Sequence, residues 1–133
     1  MKVLLNKCYG GFGVSEKAYR LYAEKKGIDL YLYKWIDGKT YRRVEHETEG
    51  VTGYFTKDFG AEVNFKDEDW DYHLYLDCGS REDPVLIECV EELGNEANGR
   101  FASLAVVEIP DGLDYVIDDY DGIETLHERV QEW

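Results

Sequence analysis

The sequence predicts an α+β fold: a mixed or antiparallel sheet of roughly five to seven strands with about three helices, beginning with a β-α-β unit. Three observations carry this reading. An apolar run, KVLLNKC, stops at a glycine cluster and gives way at once to helix-start signals. Asp37-Gly38, a strong hairpin dipeptide, sits between segments of strand character. Asp83-Pro84 opens and Gly94 closes the apolar helical stretch PVLIECVEEL.

Taken in order, KVLLNKC suits a buried strand ending at Gly10, Gly11 and Gly13. Ser15 then caps a helix, Val14 staples onto Tyr19, and Ala18, Leu21, Tyr22 and the stem of Lys25 share one face. Lys25, Lys26 and Gly27 end it with positive charge and a glycine. In IDLYLYKW, Ile28, Leu30 and Leu32 face one way and Tyr31, Tyr33 and Trp35 the other, so both faces need cover and the strand is central. Strand, helix and strand together predict a right-handed parallel crossover. Asp37-Gly38 returns the chain into TYRRVE, and VTGYFTKDFGAEVNF predicts a second hairpin around Asp58 to Gly60. DYHLYLDC reads as a strand after the acidic loop KDEDWD. NEANGR is a loop, FASLAVVEI an apolar strand, and Pro110-Asp111-Gly112 a turn before Leu113, Tyr115 and Ile117. A last helix is expected from about Ile123, entered through Asp121-Gly122, with Ile123, Leu126, Val130 and Trp133 on one stripe.

The 133 residues, 44% hydrophobic and 14% aromatic, are expected to form one domain over 1–133, without repeats or low-complexity linkers. No stretch approaches the ~20 apolar residues of a membrane span, and the apolar part of MKVLLNKCYG is too short for a secretory signal, so a cytosolic location is expected. Cys8, Cys78 and Cys89 are odd in number and widely spaced, which argues for reduced thiols over a disulfide framework or zinc site. The net charge of −14 is uneven. Residues 1–43 hold ten Lys/Arg against four acids, net +6, and the remainder five against twenty-five, net −20. An acidic remainder repels phosphate backbones and favours basic partners, so direct nucleic-acid binding is not expected, and only the basic third suits anions.

The glycine stretch KCYGGFGVSEKA raises a specific chemistry. A strand running through glycines into a helix N-terminus presents backbone N–H groups and partial positive charge to an anion such as a nucleotide phosphate. Gly10, Gly11, Gly13, Ser15, Lys17 and Arg20 form that candidate site, with Lys7 nearby. The stretch matches neither G-x-x-x-x-G-K-[ST] nor G-x-G-x-x-G. The alternative is that the glycines supply positive φ for a reversal while Phe12 fills the core. His73 with Asp71 and Asp77 has strand spacing for a metal, a pattern shared by any polar sheet face, and no metal or cofactor is expected. His46 and His127 have no partner identifiable in sequence. Carboxylates at Asp67, Glu68, Asp69 and Asp71, and again at Asp118, Asp119, Asp121 and Glu124, are too abundant to single out a catalytic pair. Eleven tyrosines and three tryptophans beside twenty-nine acids suit a recognition surface instead. The candidate partner-binding residues are Tyr115, Asp118, Asp119, Tyr120, Asp121, Glu124 and Trp133.

NKCYGGFGVSEKA at the start and the stretch from EDPVLIECVEELGNEANGR to the final Trp133 resemble a set of small bacteriophage- and prophage-encoded proteins of uncharacterised activity. The resemblance covers residues 1–18 and 81–133, roughly half the chain. Members run EYDG-x-E toward a terminal His-Arg-x-Trp; Asp119-Tyr120-Asp121-Gly122-Ile123-Glu124 and Trp133 match, whereas the His-Arg pair is absent. The resemblance implies a phage origin and no reaction. The expectation that follows is a non-enzymatic accessory protein that binds a bacterial host protein, foremost a defence-system protein, in an anti-CRISPR-like or other counter-defence role. The alternative is a protein that binds, sequesters or cleaves a nucleotide at the glycine loop.

Overall fold

A computed structural model describes residues 1–129 and shows an α+β fold. Nine strands and two α-helices are found among these residues: β1 Lys2–Asn6, α1 Glu16–Lys26, β2 Tyr31–Asp37, β3 Thr40–Val44, β4 Thr52–Phe55, β5 Glu62–Asn64, β6 His73–Leu74, α2 Pro84–Leu93, β7 Leu104–Glu108, β8 Tyr115–Tyr120 and β9 Ile123–Glu128. Short 3-10 turns cover Asp67–Tyr72, Cys78–Ser80 and Gly94–Ala97. Every strand pairing among the described residues is antiparallel. The chain groups into two compact units, one built from Met1–Tyr22 and the residues from Leu76 onward, the other from Ala23–Tyr75.

Both helices are capped as the sequence dictates. The Ser15 hydroxyl accepts from the Ala18 N–H at 3.2 Å, and the Asp83 carboxylate from Val85 N–H at 2.9 Å, with Pro84 beginning α2. Asp83 also accepts from the Tyr22 hydroxyl at 2.7 Å; burial and that carboxylate push the phenol up to about 12. Gly27 and Gly94 follow the helices at φ 67° and 58°.

Among the described residues of the first unit, β1 pairs only with β7, and β8 only with β9. The parallel crossover expected from the β-α-β order is therefore not formed, because β1 and β2 belong to different sheets. The apolar run of β1 is satisfied differently. Val3 and Leu5 pack with Ile109 against Ile117 and Leu126 of the β8–β9 hairpin, while Leu4 turns to the other face, where α2 packs. A strand covered on both faces reads as continuously apolar whichever way its partner runs.

The final helix expected from Ile123 is also corrected: Ile123–Glu128 is β9, paired residue for residue with β8 from Tyr120↔Ile123 to Tyr115↔Glu128. Asp121 at φ 50° and Gly122 at φ 95° make the two-residue turn, a conformation suited to Asp-Gly. Val130 and Trp133 of the expected stripe lie outside the described residues.

In the second unit β2 is central, as expected, in the order β5-β3-β2-β4-β6. The first hairpin forms with Asp37↔Thr40 closing it. The second does not: β4 pairs with β2 and β6, and β5 with β3. The connecting loop is anchored instead by Tyr33, whose hydroxyl accepts from Phe59 N–H and donates to the Gly60 carbonyl, both at 2.8 Å. Tyr33, Phe55 and Phe65 form the buried centre, with Phe55 stacked on Phe65 at 4.5 Å.

Candidate functional site

The carboxyl end of β1 organises the first unit's polar centre. Asn6 is fully buried, and its backbone N–H and side-chain amide are all hydrogen-bonded. Its backbone N–H donates to Glu124 Oε1 at 2.8 Å, Nδ2 donates to the carbonyls of Gly122 (2.6 Å) and Cys8 (2.9 Å), and Oδ1 accepts from Ser103 N–H at 2.8 Å. Glu124 is 5% exposed and takes a two-pronged ion pair from Arg81, Nη1 to Oε1 at 3.2 Å and Nη2 to Oε2 at 3.0 Å. Arg81 also reaches the carbonyls of Leu4 and Cys78, both at 2.9 Å, and its guanidinium lies 5.3 Å from the Phe12 ring centre. Burial alone would raise the Glu124 carboxyl's pKa; hydrogen bonds from Arg81 and Asn6 and the charges of Arg81 and Lys7 outweigh it and hold the group below its ordinary value. Glu124 is thus a structural anchor rather than a surface contact.

Above this centre three loops meet main chain to main chain. Gly10 N–H donates to the Asp121 carbonyl at 2.9 Å, Gly11 N–H to Phe101 at 3.3 Å, and Gly99 N–H to Gly13 at 2.9 Å. A Cβ on Gly10 would stand 2.4 Å from the Phe101 carbonyl oxygen, one on Gly122 2.5 Å from the Gly10 carbonyl carbon, and one on Gly99 2.7 Å from that of Gly13. Only glycine permits such approach. The first role of the glycine stretch is to let the loops at 8–13, 99–102 and 120–122 touch.

No match to this chain is found among protein-family models, curated proteins or solved structures.

The anion cradle drawn from sequence is only partly assembled. A hollow of about 350 Å³ is lined by Gly10, Gly11, Phe12, Gly13, Arg100 and Phe101. Ser15, Lys17 and Arg20 are not in that lining. The Ser15 hydroxyl donates to the Glu96 carbonyl at 2.5 Å, Lys17 pairs with Glu96 at 2.8 Å, and Arg20 with Glu16 at 2.9 Å. Arg100, not anticipated from sequence, supplies the hollow's positive charge, its guanidinium 5.3 Å from the Phe101 ring centre.

The predicted partner-binding residues separate by position. Asp118, Asp119, Tyr120 and Asp121 are exposed on the β8–β9 hairpin, with Asp119 accepting from Gly122 N–H at 2.7 Å and Asp118 meeting His127 at 2.6 Å. Tyr115 packs part-buried onto the Val3, Leu5 and Ile109 cluster, and Trp133 lies outside the described residues. What sequence reading missed is Tyr9 and Phe101. These and Tyr120 are 68%, 66% and 71% exposed, one on each of the three loops that meet at Gly10. His73 stacks with Tyr75 at 5.7 Å, and among the described residues no group of three or more His, Cys, Asp and Glu is placed to hold a metal. None of the helices among them is long and apolar enough to cross a membrane.

Proposed function

We propose that this is a phage-encoded accessory protein that acts by binding, occupying a basic surface on a bacterial host protein, foremost one of a defence system. One observation carries the reading: Tyr9, Phe101 and Tyr120 project from loops locked together at Gly10, beside the carboxylates of Asp118, Asp119 and Asp121. Large exposed rings on a fixed scaffold supply contact area at low entropic cost, and neighbouring carboxylates select a basic partner. The phage assignment draws on the terminal segments quoted above.

The test is affinity capture from bacterial cells, comparing the wild-type chain with Phe101→Ser/Tyr120→Ser and with Asp118→Asn/Asp121→Asn. The aromatic pair is expected to weaken the captured complex by about 30-fold or more, and the acidic pair to reduce its salt sensitivity. A complex that survives both changes undiminished would remove this face as the contact.

A second reading, a small-anion or nucleotide site, draws on Arg100 beside the glycine-lined hollow. A ligand held at 100 times its Kd stabilises the folded state by about 2.7 kcal/mol, a clear shift in melting midpoint. On this reading a nucleotide-induced shift disappears in Arg100→Gln and persists in Lys17→Glu, since Lys17 is bound to Glu96 and does not line the hollow. No shift with mono-, di- or cyclic nucleotides, with or without magnesium, leaves the glycines as packing residues alone.

A further inference from the structure

The opposite end of β1 carries a larger cleft, about 680 Å³, lined by Met1, Lys2, Glu82, Pro84, Ile87, Glu88 and Glu91. Its size falls within the ~300–1,000 Å³ of ligand clefts, and it shares no residue with the glycine-lined hollow. Pro84, Ile87, Glu88 and Glu91 are spaced three and four apart on α2 and form one helix face, apolar toward the start and acidic toward the end. We propose that this cleft is a docking site for a segment of a partner protein that presents an arginine or lysine beside an apolar residue.

Charge identifies the occupant. A helix C-terminus carries partial negative charge and favours cations, as α1 shows by ending in Lys25 and Lys26. α2 does the reverse: its last turn has no basic residue, and Glu88 and Glu91 face the cleft. An incoming guanidinium or ammonium group complements those carboxylates beside the partners they already have, while its stem and neighbour cover Met1, Pro84 and Ile87. Two residues of the lining carry positive charge: the Met1 ammonium, held by the Ile109 carbonyl and the Asp111 carboxylate, and Lys2, which bonds Glu91 at 2.8 Å with both side chains 43% exposed. An exposed pair of that kind is weak, so a partner cation can share or replace it. Nothing here depends on the aromatic loop surface, which lies about 14 Å away along β1.

The experiment is fluorescence anisotropy at ~0.15 M salt with a labelled short peptide alternating leucine and arginine. Glu88→Gln/Glu91→Gln is compared with Asp67→Asn/Glu68→Gln, which removes the same charge from exposed positions of the other unit. The site predicts about tenfold weaker binding for the first pair and less than about twofold for the second, and about tenfold weaker binding when serine replaces each leucine of the peptide. Equal weakening by both pairs would show attraction to net charge only. Indifference to the leucines, with spermidine displacing the peptide, would make this a site for small amines. Self-association of the chain abolished by Glu88→Gln/Glu91→Gln would make the occupant a second copy. Each of these results overturns the proposal, and none bears on the capture experiment above.

Discussion

Glu124→Gln is expected to destabilise the protein by about 3–5 kcal/mol, because it leaves the Arg81 guanidinium buried without a counter-charge. Urea unfolding followed by circular dichroism measures this directly. The double variant Arg81→Met/Glu124→Gln, which removes both charges and keeps an oxygen for the Asn6 N–H, should recover part of the loss, the remainder reflecting the Leu4 and Cys78 carbonyls left without Arg81. A single-variant cost under about 1 kcal/mol would show that the pair is solvated and weak. The pH dependence has a definite sign. Glu124 titrates below its ordinary 4.5 in the folded chain, so the unfolded chain takes up the proton first. The stability it contributes is complete above that ordinary value and is lost as pH falls through the lower folded value. Glu124→Gln should flatten this part of the profile between pH 7 and 3, measured as urea midpoint against pH.

Gly122→Ala should cost about 3 kcal/mol or more, combining a left-handed backbone with a Cβ driven to 2.5–2.7 Å from the C, N and O atoms of Gly10. Those neighbours are main chain and cannot rotate aside. Gly112→Ala provides the contrast: its φ of 76° is comparably left-handed, yet a Cβ there meets nothing within 4 Å, so the cost should be about 1 kcal/mol. The difference between the two melting midpoints isolates the close approach. Equal costs would show that the loops yield and that Gly10 and Gly122 are not a fixed contact.

Helix ends were legible in the sequence because Ser15, Asp83-Pro84, Gly27 and Gly94 act on their immediate neighbours. The central position of β2 was legible too, since apolar residues on both faces leave few alternatives. Pairing partners were not. The apolar run of β1 signals burial without saying whether the second cover is a helix or a hairpin. Asp121-Gly122 shows the same limit: the dipeptide closes a hairpin here, yet Ile123 and Leu126, three apart, give the sequence after it the spacing of a helix face. In the folded chain Leu126 pairs across to Ile117, and the intervening Glu124 goes inward, where only Arg81 and Asn6 make it tolerable. The candidate surface followed suit. Asp118 to Asp121 were found because acids and turn residues favour solvent, whereas Tyr9 and Phe101 joined them through contacts spanning some ninety residues of chain.

The loops that meet at Gly10 are held by main-chain hydrogen bonds together with the side chains of Asn6 and Asp119, and the side chains at 9, 101 and 120 take no part in them. Residue type at those positions can therefore change while the scaffold that displays it stays put. A face built this way can be rewritten, letter by letter, at no cost to the hydrogen bonds beneath it.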